Sequence, residues 1–174
     1  MLHDGAMDLT PSDMEHLRRC VELAEESLEA QDEPFGSVLA NEKGEVLFED
    51  RNRVAGGDTT AHPEIAIAQW ALANLDPQER ASSTVYTSGE HCPMCAAAHG
   101  WAGLGRIVYV ASASMFEAWQ GEWGAARGPV AALPAEVVVP GLFVQGPVDE
   151  LVPRVRYLHF RAFQESSQHA ATQD

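Results

Sequence analysis

Two short stretches constrain this chain more than anything else in it: His62-Pro63-Glu64 and, further on, Cys92-Pro93-Met94-Cys95. Together they supply three soft or borderline metal ligands with one carboxylate beside them, which is what a hydrolytic zinc site requires. Three protein ligands leave the fourth tetrahedral position open for water. A closed structural site needs a fourth Cys or His, and the remaining candidates are poor. The fold must therefore bring the starts of two separate segments to one point.

The chemistry follows from the spacing. Cys92 and Cys95, three apart at the expected start of a helix, project onto one face. A helix N-terminus favours thiolate over thiol, and zinc deprotonates both outright. A CxxC before a helix also serves thioredoxin-like redox chemistry, but there it follows an early strand and has no HxE upstream. His62, at the start of the preceding helix, supplies the third ligand. Glu64 is too far round that helix to ligate with His62, yet close enough to reach water at the metal. Two thiolates compensate the zinc charge, so that water needs a nearby base as well as polarisation. Glu64 is expected to take its proton, the oxygen to attack the substrate, and the same carboxyl to return protons to the group that leaves.

Bulk properties narrow the rest. The 174 residues suit one domain with a full core. Residues 12–165 are expected to form it, with flexible tails at 1–11 and 166–174. Apolar residues make up 45% and charged residues 21%, the profile of a globular protein without a membrane span. The opening segment is acidic and lacks an apolar core, so no secretory signal is expected. Cys20 falls on an apolar helical stripe, and a lone CxxC fits an intracellular metal site better than a disulfide framework. The expected location is cytoplasmic. A net charge of −15, with Lys43 the sole lysine, argues against holding a long polyanion; a small uncharged substrate suits the chain better.

Along the chain, Ser12-Asp13-Met14-Glu15 reads as a capping box opening an amphipathic helix over 13–30. A hairpin is expected from 35–40 and 45–48, then a polar loop over 50–60. A buried helix follows His62, with Pro63 in its first turn. A strand is expected at 83–87, a helix from near Cys92 to Trp101, a strand at 107–110, a helix over 114–124, a strand at 137–139 and a final helix over 148–164. The alternation predicts a sheet whose later strands run parallel and are covered on both faces.

These motifs resemble the cytidine deaminase-like zinc deaminases, whose signature is an H-x-E with a P-C-x-x-C. Phe35-Gly36, Asn52-Arg53-Val54, Thr60-Ala61-His62-Pro63-Glu64 and Cys92-Pro93-Met94-Cys95 are similar to the branch holding bacterial guanine deaminases, cytosine deaminases and tRNA adenosine deaminases. The resemblance implies a three-layer α/β/α fold around a mixed five-stranded sheet, with strands 4 and 5 parallel. It implies Zn2+ as cofactor, a homodimer, and deamination of a free nucleobase or related amino-heterocycle. Asn52 would orient the substrate, with Phe35, Ala61 and His91 also in contact with it, while Trp119, Trp123 and Phe143 are candidates to close the pocket.

Two departures stand out. The proline common before the first cysteine is His91, which can bond the base, tune a thiolate or face solvent. No aspartate occupies 111–114, where guanine-specific relatives often carry one, so cytosine, isocytosine or an aminotriazine stands beside guanine. His99 either backs the site or lies at a subunit contact. A nucleoside deaminase, a tRNA adenosine deaminase and a zinc-stabilised interaction module without catalysis are the competing readings.

Overall fold

The computed structural model describes residues 9–171. The first helix, α1 (Pro11–Glu29), begins two residues earlier than expected. Thr10 is the N-cap: its hydroxyl accepts from Asp13 N at 3.1 Å, and Asp13 Oδ2 accepts from Thr10 N at 2.8 Å. Pro11 sits at the first helical position, where its missing N–H costs nothing. The reciprocal pair is thus Thr10 and Asp13, not Ser12 and Glu15.

Next come β1 (Gly36–Ala40) and β2 (Val46–Arg51), the expected hairpin, turned at Asn41 and Gly44. Asn41 Oδ1 accepts from the backbone of Lys43 and Glu45 at 2.9 and 3.0 Å, and Gly44 takes a φ of 81° that favours glycine. The chain continues through α2 (Pro63–Asn74), α3 (Pro77–Ser82), β3 (Thr84–Gly89), α4 (Pro93–Ala102), β4 (Arg106–Ala111), α5 (Ala113–Trp123), α6 (Ala135–Val138), β5 (Val144–Gln145) and α7 (Val152–Ala171).

The sheet order is β2-β1-β3-β4-β5. Strand β1 is antiparallel to β2 and β3, whereas β3, β4 and β5 run parallel, so the expected mixed five-stranded sheet and its parallel last pair are present. Alternation along the strands sends Val38, Ala40, Tyr86, Val108 and Val110 toward α1 and α7. Leu39 and Val85 face α2 and α4 instead. The sheet is therefore buried on both sides, in three layers. Helix α1 comes so close to β1 that a Cβ on Gly36 would lie 2.4 Å from the Leu23 Cβ; glycine permits that approach.

Three elements differ from expectation. Residues 137–139, apolar and β-branched, belong to the end of α6 rather than to a strand. Glu90 Oε1 accepts from Ala135 N at 2.9 Å and anchors the start of that helix. Val138 and Val139 then pack with Ala96 and Ile107, so tertiary burial overrides strand propensity. The fifth strand comes later, at Val144–Gln145. Helix α3 was not anticipated; its capping box joins Asp76 and Glu79. Helix α7 starts at Val152 and runs on through Ser166 to Ala171, where polar composition predicts fraying. Among the described residues, no helix is long and apolar enough to cross a membrane.

Candidate functional site

The site forms where two helices begin. His62 is the N-cap of α2 and Cys92 the N-cap of α4, each followed by proline at the first helical position. Cys95 lies one turn into α4. Each helix start leaves backbone N–H groups without intrahelical partners, a setting that favours thiolates, and the Cys95 backbone bonds the Cys92 sulfur.

The three ligand atoms form a compact triangle. The two sulfurs are 3.5 Å apart, and His62 Nδ1 lies 3.8 Å from Cys92 Sγ and 3.4 Å from Cys95 Sγ. Zinc, with Zn–S of about 2.3 Å and Zn–N of about 2.0–2.1 Å, requires tetrahedral edges of about 3.5–3.8 Å. The triangle fits that requirement, and these three residues form a Zn2+-binding site. Hydrogen bonding with Cys95 holds the Cys92 thiol down to about 4, with His62 adding to the effect against burial. The second proton is correspondingly hard to lose: the Cys92 contact, then burial, push Cys95 up. Cys20 is fully buried and its thiol is also raised, chiefly by burial; it is the inert core cysteine that its place on the helical stripe predicts.

Glu64 is buried beside the triangle. Ser37 Oγ donates to its Oε1 at 2.8 Å, and the Thr87 hydroxyl lies 2.9 Å from the same oxygen. The other oxygen, Oε2, is 3.5 Å from Cys95 Sγ. Ser37 and Thr87 face each other across the β1–β3 ladder, with their hydroxyls 3.0 Å apart. The sheet itself holds one carboxylate oxygen and leaves the other against the ligand cluster.

Asn52 is wholly buried just after β2. Its Oδ1 accepts from Val54 N at 3.0 Å, while Nδ2 has no partner and stands as an unspent donor. Phe35 walls a cavity of about 230 Å3 together with His62, Glu64, Cys92 and Phe116. The Ala61 carbonyl accepts from Arg53 N at 3.0 Å, fixing the approach to His62.

His91 does not face solvent. It is 1% exposed and meets His99 edge-on at 5.2 Å; burial and then His99 push its imidazole well down, so it is neutral. It is absent from the walls of the cavity. His99, equally buried, bonds the Gly105 carbonyl through Nε2 at 2.8 Å, so it backs His91 from within rather than lying on a surface.

Trp119 and Trp123 border a larger adjoining chamber of about 680 Å3. Phe143 does not join them. It is 45% exposed, and the Arg106 guanidinium lies over its ring at 5.9 Å, because the fifth strand begins beyond 137–139 and carries Phe143 to its start.

Sequence reasoning missed Ser37, Thr87, Phe116, His159 and Phe163. The last two were legible in principle: His159, Ala162, Phe163 and Ser166 recur at helical spacing on α7 and line one chamber wall. Phe116 walls both cavities, and a Cβ on Gly89 would lie 2.8 Å from its ring, so glycine leaves room for it.

Three known proteins are similar to this chain in different degrees. A probable cytosine deaminase of Schizosaccharomyces pombe is 29% identical over 105 residues, 60% of this chain and 64% of the relative. A tRNA-specific adenosine deaminase of Haemophilus influenzae is 30% identical over 110 residues, 63% of this chain and 64% of that one. The chain thus spans just under two thirds of the length of either relative. A guanine deaminase structure from Nitrosomonas europaea superposes with a TM-score of 0.66 at 21% identity, covering 89% of this chain and 85% of that one; at that identity it speaks for the fold. Residues 10–111, which hold all three ligands and Glu64, match the cytidine and deoxycytidylate deaminase zinc-binding region, and the chain belongs to that family.

Proposed function

We propose that this protein catalyses the hydrolytic deamination of a free nucleobase or a related small amino-heterocycle. One observation carries the reading: Glu64 is buried, tethered through Oε1 to Ser37 and Thr87, and directs Oε2 at the ligand triangle. A module that used zinc only for folding has no need of a carboxylate fixed there. Bound zinc supplies Lewis-acid activation of a water at its open position.

The residues divide the remaining work. Glu64 takes the proton from the attacking water and delivers protons to the ring nitrogen and the leaving amine, so water and C–NH2 become C=O and NH3. Asn52 stands behind the walls of the cavity, and its buried, unpartnered Nδ2 is the group proposed to donate to the ring of the substrate. Phe35 and Phe116, with centroids 5.4 Å apart, wall the space for a flat heterocycle. A cavity of about 230 Å3 is smaller than the roughly 300–1,000 Å3 of drug-sized pockets and suits a single small ring system. His91, buried behind the first cysteine, acts on the site by supporting the turn that carries Cys92. The three relatives bear names with three different substrates, so the class of ring is proposed and no single base. The working unit is proposed as a homodimer; Trp101, 91% exposed on α4, and Leu72 on α2 offer apolar surface for the contact.

The test is ammonia release by zinc-loaded protein from guanine, cytosine, isocytosine, aminotriazines, adenosine and a tRNA anticodon stem. Release from one or more free heterocycles is expected. Release from the RNA stem alone replaces the small-molecule reading, and silence on every compound with zinc verified as bound rejects catalysis. A monomeric mass at micromolar concentration rejects the dimer.

A further inference from the structure

The larger chamber is left without a role by the reaction above. It holds about 680 Å3 and shares Phe35, His62, Phe116 and Gln120 with the inner cavity, so the two meet at those residues. Its far walls come from α5 and α7, with Trp119, Trp123 and Phe163 among them.

One polar atom at the junction has no partner. The His159 ring packs against Phe35 and Phe116, with centroids at 4.7 and 4.6 Å, and those are the two phenyl rings common to both cavities. Its Nε2 is shielded and makes no hydrogen bond. The ring is hydrogen-bonded to the Pro34 backbone. Proline has no N–H, so His159 donates to the Pro34 carbonyl, and with Nε2 unpartnered the donor is Nδ1–H. Burial, only partly offset by that bond, pushes the imidazole down to about 3. In a neutral imidazole protonated at Nδ1, Nε2 is a lone-pair acceptor. An unmet acceptor in an apolar ring cluster is a standing cost to the fold, and a donor that displaces the shielding rings meets it.

We infer that His159 determines specificity: a ring substituent leaving the inner cavity at the Phe35–Phe116 junction donates an O–H or N–H hydrogen bond to His159 Nε2. The chamber beyond takes the remainder of that substituent. Asp32, Glu33 and Glu165 border it, so a phosphate or other anion is disfavoured. This inference rests on the deaminase reading and adds the substrate class: amino-heterocycles bearing a donor-carrying arm without negative charge.

The experiment compares cytosine and guanine, each as free base, as the N-(2-hydroxyethyl) derivative and as the N-propyl derivative, by kcat/KM for ammonia release. The zinc-loaded protein is expected to favour hydroxyethyl over propyl by about tenfold or more, as sites built to bond a hydroxyl do. His159→Phe, which keeps a ring between Phe35 and Phe116, should bring that ratio close to one. His159→Gln, which retains an acceptor, should restore part of it. The ratio is taken within each variant, so a loss of folded protein does not move it. No preference in the unsubstituted protein, or one that survives in His159→Phe, overturns the inference while the deaminase reading stands on the free bases. Absence of release from every one of these compounds overturns the inference, and the wider panel above then decides the deaminase reading separately.

Discussion

Glu64 Oε2 lies 3.5 Å from the Cys95 sulfur, and the opposite carboxylate oxygen is held by Ser37 and Thr87. The carboxylate is therefore fixed at the edge of the ligand triangle before substrate arrives. Positioned proton transfer of this kind is worth roughly 10²–10⁴ in rate.

Replacing Glu64 by Gln keeps the shape and removes the proposed proton carrier. Zinc content should stay at one ion per chain by a chromogenic metal assay, and ammonia release should fall by at least about 100-fold. Undiminished release on every turned-over substrate refutes the assignment.

Thr87→Val removes one of the two hydroxyls at Oε1 while conserving shape. Hydrogen bonds to charged groups contribute about 1.5–3 kcal/mol, so a fall of roughly 10- to 100-fold in kcat is expected, with zinc retained. Unchanged kcat would show that Ser37 alone holds the carboxylate.

Removing the metal should act on the fold as well as the reaction. Stripping zinc with a strong chelator is expected to lower Tm by about 5 °C or more, since an ion bound by the native state stabilises it. Re-addition of zinc should restore both Tm and turnover. Cys92→Ser should show the lowered Tm without any further response to chelator.

Asp13 ties α1 to the sheet. Its Oδ1 accepts from Tyr86 Oη at 2.6 Å and Arg106 Nη1 at 2.9 Å, and its Oδ2 serves the Thr10 cap. Burial on its own raises this carboxyl, but the hydrogen bonds from Tyr86, Arg106 and Thr10 outweigh it and bring it from 3.8 down to about 2. A folded value below the unfolded one gives stability that is full above about pH 4 and is lost as pH falls toward 2. Asp13→Asn should destabilise by about 3–5 kcal/mol by leaving Arg106 without its charge partner, read in urea melts at pH 7. The difference between the two proteins should narrow in melts at pH 3 and below; a constant difference would refute the linkage.

The metal centre was legible because its parts are local. His62 with Glu64, and Cys92 with Cys95, each lie within one turn of a helix start, so spacing alone sets the geometry within each pair. Periodicity likewise marked α1, the β1–β2 hairpin, α4 and β4, whose apolar faces repeat at the period of their own backbone. What holds Glu64 was not legible: Ser37 and Thr87 are far apart in the chain and meet only through the β1–β3 register, which no local pattern encodes. The same holds for residues 137–139, where Glu90 and the floor formed by Ala96 and Ile107 decide for helix against intrinsic propensity. His159 shows the limit most clearly. Its place on an apolar stripe follows from sequence, but only packing of α7 against Phe35 and Phe116 buries its ring and leaves one nitrogen without a partner. Sequence by itself determined the ligand set and the layered fold, because both depend on short-range spacing. Tertiary structure alone decided how the carboxylate is held and which side chains line the chamber, because both depend on contacts between residues distant in the chain.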